Sequence, residues 1–248
     1  MEAQNEPNER LAEKALPAPL RMAIEAVFTG GLENVALVGG TALSGYYACH
    51  RRSDDMDLFT RDSLAQEMTV RRVKQLPRLS ISDERRSAGY YYALAISDGH
   101  EFTISVVLDS NLFRVGKVVK TPKGVGVAAL KTLRMMKAAT LVSRCSEKDL
   151  YDLEWLTRRF GNLTPSEWVT LGREIDTGVT PETILISLAS SEPKLAACGF
   201  AESFGVPAKE VLKRIKVFRG SLATLFQAYL EKAPVDKDLG RLIRKLKH

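Results

Sequence analysis

The sequence is poor in cysteine and histidine, with three of each in 248 residues. Cys49, Cys145 and Cys198 form an odd, widely spaced set. They make neither a disulfide framework nor a zinc pattern, and a reducing, cytoplasmic setting is the simple expectation. No apolar run approaches the roughly 20 residues of a membrane helix, so no membrane partner is expected. The opening Met-Glu-Ala-Gln-Asn-Glu-Pro-Asn-Glu is acidic and polar and does not read as a secretory signal. No internal repeat or low-complexity tract is visible. What is present, 45% hydrophobic and 27% charged residues, suits one medium domain or two small ones with a real core.

Charge is uneven. Residues 206–248 hold eleven Lys and Arg against four Asp and Glu, or +7, which leaves the preceding 205 residues at −1. A basic end beside a neutral body can hold a polyanion such as RNA. A solvated helix face explains the same charge.

In chain order, residues 1–15 read as a polar lead. A helix follows Pro17 and Pro19 and runs to about Phe28, where Gly30-Gly31 ends it. Val35–Val38 is a short apolar run suited to a buried strand. Gly39-Gly40 turns the chain, and Thr41 starts a helix to about Cys49 with its hydroxyl placed as a cap. Asp55-Met-Asp-Leu-Phe59 alternates, so Asp55 and Asp57 share one strand face. Residues 62–75 read as an amphipathic helix with Leu64, Met68 and Val73 apolar. Short strands are expected at 79–81, 89–97 and 101–108, with Asp98-Gly99 as a hairpin turn, and an edge strand at 115–119. From Val125 the pattern is helical: 127–142, 147–160 behind the cap Ser146, starts at Thr164-Pro and Thr180-Pro, and 207–231. The expected fold class is α+β. A mixed sheet with helices fills residues 1–122, and a helical half over 123–248 completes a cleft.

The chemistry concentrates in residues 35–59. Two carboxylates on one strand face can ligate a hard divalent cation such as magnesium or manganese. A Gly-Gly-Thr turn lets backbone N–H groups approach a phosphate without Cβ interference. Either half alone is common. Joined on successive elements they describe nucleotidyl transfer, with an NTP held by turn and metal.

The stretch Val38-Gly-Gly-Thr-Ala-Leu43 with His50-Arg51-x-Ser53-x-Asp55-x-Asp57-Leu58-Phe59 resembles the first motif of the AbiEii/AbiGii nucleotidyltransferases. These belong to the DNA polymerase β-like superfamily and include many toxins of abortive-infection and toxin–antitoxin systems. Ala128-Ala-Leu-Lys131, followed by Ser143-Arg144 and Lys148-Asp149-Leu-Tyr-Asp152-Leu153, resembles a second family segment. The likeness covers about residues 30–160. It implies that Gly39, Gly40 and Thr41 bind triphosphate and that Asp55 and Asp57 hold Mg²⁺ or Mn²⁺. It further implies that Lys131, on the inner face of its helix, neutralises phosphate, and that Asp149 is a polar catalytic residue. Arg144 and Lys148 would line the nucleotide pocket. An RNA or tRNA acceptor and a cognate antitoxin protein are the implied partners.

The chain departs from the superfamily at one point. A third carboxylate usually stands on a later strand facing the first pair, and here Ser105 occupies that place. Glu101 and Asp109 share its parity but lie at the strand ends. A degenerate nucleotide-binding homologue and a non-enzymatic RNA-binding protein are therefore rival readings. His50 and Asp152 read as structural. Arg51 and Arg52 fit either phosphate contact or solvation, and the tyrosines at 90–92 alternate on a strand with one face in the core.

Overall fold

A computed structural model describes residues 5–190 and 192–233. The chain forms two compact units, Met1–Leu133 and Arg134–His248.

The first unit opens with α1 (Glu9–Ala15) and α2 (Ala18–Phe28). The polar lead is therefore helical from Glu9. The Asn8 side chain accepts from the Arg10 N–H at 2.9 Å and caps α1, and Ala12 and Ala15 are buried. Strand β1 (Val35–Leu37) leads into α3 (Gly39–Leu43), which continues as a π turn over Ser44–Ala48. The chain leaves that turn at Cys49, whose φ of +48° reverses it. β2 (Asp55–Thr60) follows, then α4 (Ser63–Lys74), capped by Asp62. On α4 the expected apolar face is rotated. Leu64 and Met68 are exposed, while Ala65, Thr69, Val70 and Val73 are buried. The small residues let α4 lie close to the sheet.

β3 (Leu79–Ser87), β4 (Tyr90–Ser97) and β5 (His100–Leu108) form a meander, with Asp98 and Gly99 both at positive φ in the hairpin turn. β3 runs six residues past its expected end. It is an edge strand carrying Asp83, Glu84, Arg85 and Arg86, with a register shift between Ile81 and Asp83. Charge and a bulge protect an edge from further pairing, and they also erase the alternation that marks a strand in sequence. The expected strand at 115–119 divides into α5 (Ser110–Val115) and β6 (Val118–Lys120). The helix expected from Val127 begins at α6 (Leu130–Ser143), because Gly126–Ala128 form β7. There Val127 pairs with Leu37 in parallel, and a Cβ on Gly126 would stand 2.9 Å from the Val35 carbonyl oxygen.

The seven strands order as β3-β4-β5-β2-β1-β7-β6. β2 runs parallel to β5 and β1 parallel to β7, and the other pairings are antiparallel. Period-two alternation divides the sheet into two faces. Met56, Leu58, Tyr91, Ala93, Ala95, Phe102, Ile104 and Val106 are buried, and helices α2 and α4 pack on β2 and β5. Asp55, Asp57, Thr103 and Ser105 alternate with them on the other, half-exposed face.

The second unit continues α6 and adds α7 (Glu147–Phe160), α8 (Pro165–Arg173), α9 (Pro181–Ser190) and α10 (Ala208–Leu230). Ser146 and Asp149 form a capping box on α7, and Thr164 and Glu167 form one on α8. α10 packs on α7 and α9 through Val211, Ile215, Phe218, Leu222 and Phe226. Of the basic end, residues 234–248 lie outside the described residues.

The closed face carries the sheet's stability. Ile104→Ala is expected to cost about 2–5 kcal/mol in urea unfolding. Leu94→Ala, on the half-exposed face, should cost clearly less.

Candidate active site

The site is assembled by β1, α3, β2 and β5. The Val38 N–H donates to the Asp57 carbonyl at 2.9 Å, so the strand end that leads into Gly39 is tied to the strand carrying the aspartates. Gly39 has φ +69°, a conformation glycine accepts readily. A Cβ at Gly39 would lie 2.3 Å from Asp57 Oδ2, so no other residue fits without displacing that carboxylate. The glycine turn and the second aspartate are therefore in direct contact.

Gly40 is as constrained. A Cβ there would meet Arg51 Nη2 at 2.4 Å and Ser53 Oγ at 3.1 Å. Arg51 is buried, and its Nη1 donates to the Arg52 carbonyl at 2.9 Å. Neither solvation nor surface phosphate contact describes it: its guanidinium lies directly beneath the turn. Thr41 sits inside the first turn of α3 and does not cap it; the N-cap is Val38. The buried Thr41 hydroxyl bonds Ser53 Oγ at 2.9 Å and donates to the Asp55 carbonyl. That leaves the Thr41 backbone, and not its side chain, to meet a ligand.

Across the sheet, Asp55 pairs with Thr103 and Asp57 with Ser105 in parallel register. Thr103 Oγ1 donates to Asp55 Oδ1 at 2.7 Å, and Ser105 Oγ donates to Asp57 Oδ1 at 2.7 Å. Among the described residues, no group of three or more His, Cys, Asp or Glu is disposed to hold a metal. Asp54 is engaged by Arg52 Nε at 2.9 Å and by His100 Nε2 at 3.0 Å. Asp109 caps α5, accepting from the Leu112 N–H at 3.0 Å. The donor set at the site is thus two hard carboxylates beside a cradle that any Cβ would fill, which fits one oxygen-ligated divalent cation and a phosphate.

Solved structures share this architecture. MenT4, a nucleotidyltransferase toxin from Mycobacterium tuberculosis, matches with TM-score 0.50 at 16% identity, over 97% of this chain and 98% of its own. A Helicobacter pylori protein provisionally assigned as a nucleotidyltransferase matches with TM-score 0.50 at 16% identity, over 89% of this chain and 97% of its own. The chain has a nucleotidyltransferase fold. No family model matches it. An uncharacterized protein of Aquifex aeolicus, aq_aa25, is 31% identical over 144 residues, 57% of this chain and 66% of that protein. The match thus spans just under two thirds of that relative's length.

The remaining candidates of this nucleotidyltransferase fold lie at α6 and α7. Lys131, expected on the inner face of its helix, is exposed. The buried stripe of α6 is Leu130, Leu133, Lys137 and Leu141, at helical spacing, and Lys137 is the cation on it. Lys137 lies six residues beyond Lys131, in phase with the buried leucines. Its Nζ donates to Asp149 Oδ1 at 2.8 Å and pairs with Asp152 Oδ2 at 2.7 Å. Both aspartates are fully buried. Arg144 closes the cluster through Nε on Asp149 Oδ2 at 2.7 Å and Nη2 on Oδ1 at 3.0 Å. Ser146 Oγ donates to Asp149 Oδ2 at 2.6 Å. Lys148 is exposed. Gly39, Gly40, Thr41, Asp55 and Asp57 are thus brought together in the first unit, and Arg144 with Asp149 in the second.

Burial pushes the Asp149 carboxyl up, but the Lys137 ammonium and the Arg144 guanidinium overcome it and hold it at about 2. The stabilisation is complete above its ordinary value of 3.8 and is lost as pH falls toward 2. Asp149→Asn should lower neutral-pH stability by roughly 3–5 kcal/mol, since it leaves buried positive charge under-compensated. Its denaturation midpoint should also fall less steeply than that of the parent between pH 4 and pH 2, measured by urea unfolding across that range.

Proposed function

We propose that this chain is a metal-dependent nucleotidyltransferase of the AbiEii/AbiGii kind. It moves an NMP from an NTP to an acceptor hydroxyl, with diphosphate as leaving group. The observation that carries the reading is the contact between Gly39 and the Asp57 carboxylate. A phosphate received at the turn is then adjacent to the group that would hold its metal.

In this reading Asp55 and Asp57 hold Mg²⁺ or Mn²⁺, which supplies charge neutralisation at phosphoryl oxygens when bound. Gly39, Gly40 and the Thr41 backbone receive the triphosphate, and the buried Arg51 places a positive charge beneath them. Lys131 and Lys148, both exposed, are proposed phosphate contacts. Asp149, held at about 2, is a poor proton acceptor, so it enters as a positioning residue for the exposed Arg144 guanidinium. Fixed placement of the reacting groups supplies much of the rate, as in other phosphoryl transfers. The proposed acceptor is an RNA such as tRNA, supported by the +7 charge of residues 206–248. A cytoplasmic toxin restrained by a cognate antitoxin is the proposed biological setting.

A second reading is a homologue that binds nucleotide without transferring it. Ser105, facing Asp57 where a third acid is expected, favours it.

Incubation with each labelled NTP, magnesium or manganese, and total RNA separates the readings. Transfer of label to RNA by wild type, lost at least 100-fold in Asp55→Ala and Asp57→Ala, is the expected outcome. Nucleotide binding without transfer, across metals and acceptors, would establish the second reading. RNA binding indifferent to both aspartates and steeply weakened by salt would instead identify a binding protein.

A further inference from the structure

Resting on that reading, we propose that the half-exposed face of β5, β4 and β3 is the acceptor side of the centre, where Tyr92 and Tyr90 stack unpaired bases of the RNA end whose hydroxyl reacts. The sheet order gives the direction. Strand β2, with Asp55 and Asp57, has β1 and the glycine turn on one side and β5, β4 and β3 on the other. In phosphoryl transfer the attacking and leaving oxygens stand roughly in line across the phosphorus. A triphosphate received at the glycine turn puts its leaving diphosphate on the β1 side. The attacking hydroxyl then comes from the β5 side.

On that side one row crosses four strands. Asp57 stands in register with Ser105, Ser105 with Tyr92, and Tyr92 with Arg85. Tyr92 is two strand spacings from Asp57, about 10 Å. The register position between them holds only a serine, so no long side chain separates carboxylate from ring. Over residues 92–96 of β4 the usual sizes are reversed. Ala93 and Ala95 are buried, while Tyr92, Leu94 and Ile96 lie on the half-exposed face and Tyr90 is 41% exposed. An antiparallel sheet with one solvated face ordinarily carries polar residues there.

Charge divides this face. The Arg85 guanidinium lies 5.8 Å from the centre of the Tyr92 ring, at the outer edge of the row. Its Nη2 also bonds Asp83 Oδ2 at 2.9 Å, an exposed pair that opens at little cost. Asp83 stands opposite Leu94, and Glu101 opposite Ile96. A polyanion therefore tracks over Tyr92 and Tyr90, away from the Asp83 and Glu101 end. Aromatic rings on a sheet face with an arginine at the margin suit the bases and backbone of single-stranded RNA. A duplex keeps its base faces stacked inside and gains nothing from them.

Fluorescence anisotropy of the full chain with a labelled, unstructured RNA oligonucleotide tests this without a transfer assay, alongside calorimetric titration of magnesium tripolyphosphate. Tyr92→Ala should weaken RNA binding at least about 5-fold, the low end of what one stacked base contributes, and Tyr92→Phe, which keeps the ring, less than about 2-fold. Arg85→Ala should lower the slope of log affinity against log salt by about 0.7, the value of one phosphate contact on a single strand. Ile96→Ala, at the acidic end, should bind RNA as wild type does, and all four variants should bind magnesium tripolyphosphate normally. Tripolyphosphate binding without RNA binding, or with RNA affinity indifferent to Tyr92→Ala, overturns the inference and leaves the proposed function standing. Equal losses from Ile96→Ala and Tyr92→Ala overturn the stacking assignment. No tripolyphosphate binding by wild type overturns the reading beneath, and the inference with it. Should Tyr92→Ala fail to fold, ultraviolet crosslinking of thiouridine-substituted RNA to wild type decides. Adducts at Tyr90 or Tyr92 support the stacking face, and adducts confined to residues outside β3, β4 and β5 overturn it.

Discussion

The Asp57 side chain is the constraint on which the site depends. One of its oxygens faces Gly39 and the other accepts the Ser105 hydroxyl, while its backbone carbonyl accepts the Val38 N–H. Three elements that are distant in sequence, the β1–α3 junction, β2 and β5, are held in register through this one residue. The parallel β2–β5 pairing makes it possible, since it places Thr103 and Ser105 opposite Asp55 and Asp57 one for one. Slipping that pairing by one residue would bring the buried Ile104 and Val106 beneath the carboxylates. The hydrophobic face under α2 and α4 therefore sets the chemistry of the opposite face as well as the stability of the sheet.

The second unit handles charge differently. Lys137, Asp149 and Asp152 are withdrawn from solvent together and satisfied by one another, with Arg144 at the edge. A third buried acid, Glu154, is paired with Arg158 and with Arg214, the latter at 2.6 Å. Such pairs contribute little net stability against apolar side chains of equal volume, but removing one partner is costly. They fix α7 against α6 and α10 by charge pairing as well as by packing.

Much of this was readable from the residues, and the reasons for the exceptions are physical. The Gly-Gly-Thr turn, the shared face of Asp55 and Asp57 and the Asp98-Gly99 hairpin follow from local chemistry, and local chemistry is what a sequence displays. Ser105 opposite Asp57 was legible because strand alternation fixes parity. The role of Thr103 was not, since it depends on which strand pairs with β2 and in which direction. Arg51 reads as a surface cation in a polar loop, and its burial comes from the space that Gly40 leaves open. Lys137 is not legible as a site residue in the sequence, because a lysine in an apolar stripe looks like a break in the pattern and its buried partners lie twelve and fifteen residues on. β3 carried the charges of an edge strand, which are unlike those of a strand interior.

A shared phosphate and cation site requires coupling between the glycine turn and the second aspartate. A double-mutant cycle measures it directly: calorimetric titration of magnesium tripolyphosphate, a base-independent probe, into wild type, Gly39→Ala, Asp57→Asn and the double variant. Contact between the two sites predicts that each single change weakens binding at least 10-fold and that the double variant binds no worse than the weaker single, a coupling above about 1 kcal/mol. Additive losses, or binding indifferent to both changes, would contradict a shared phosphate and cation site.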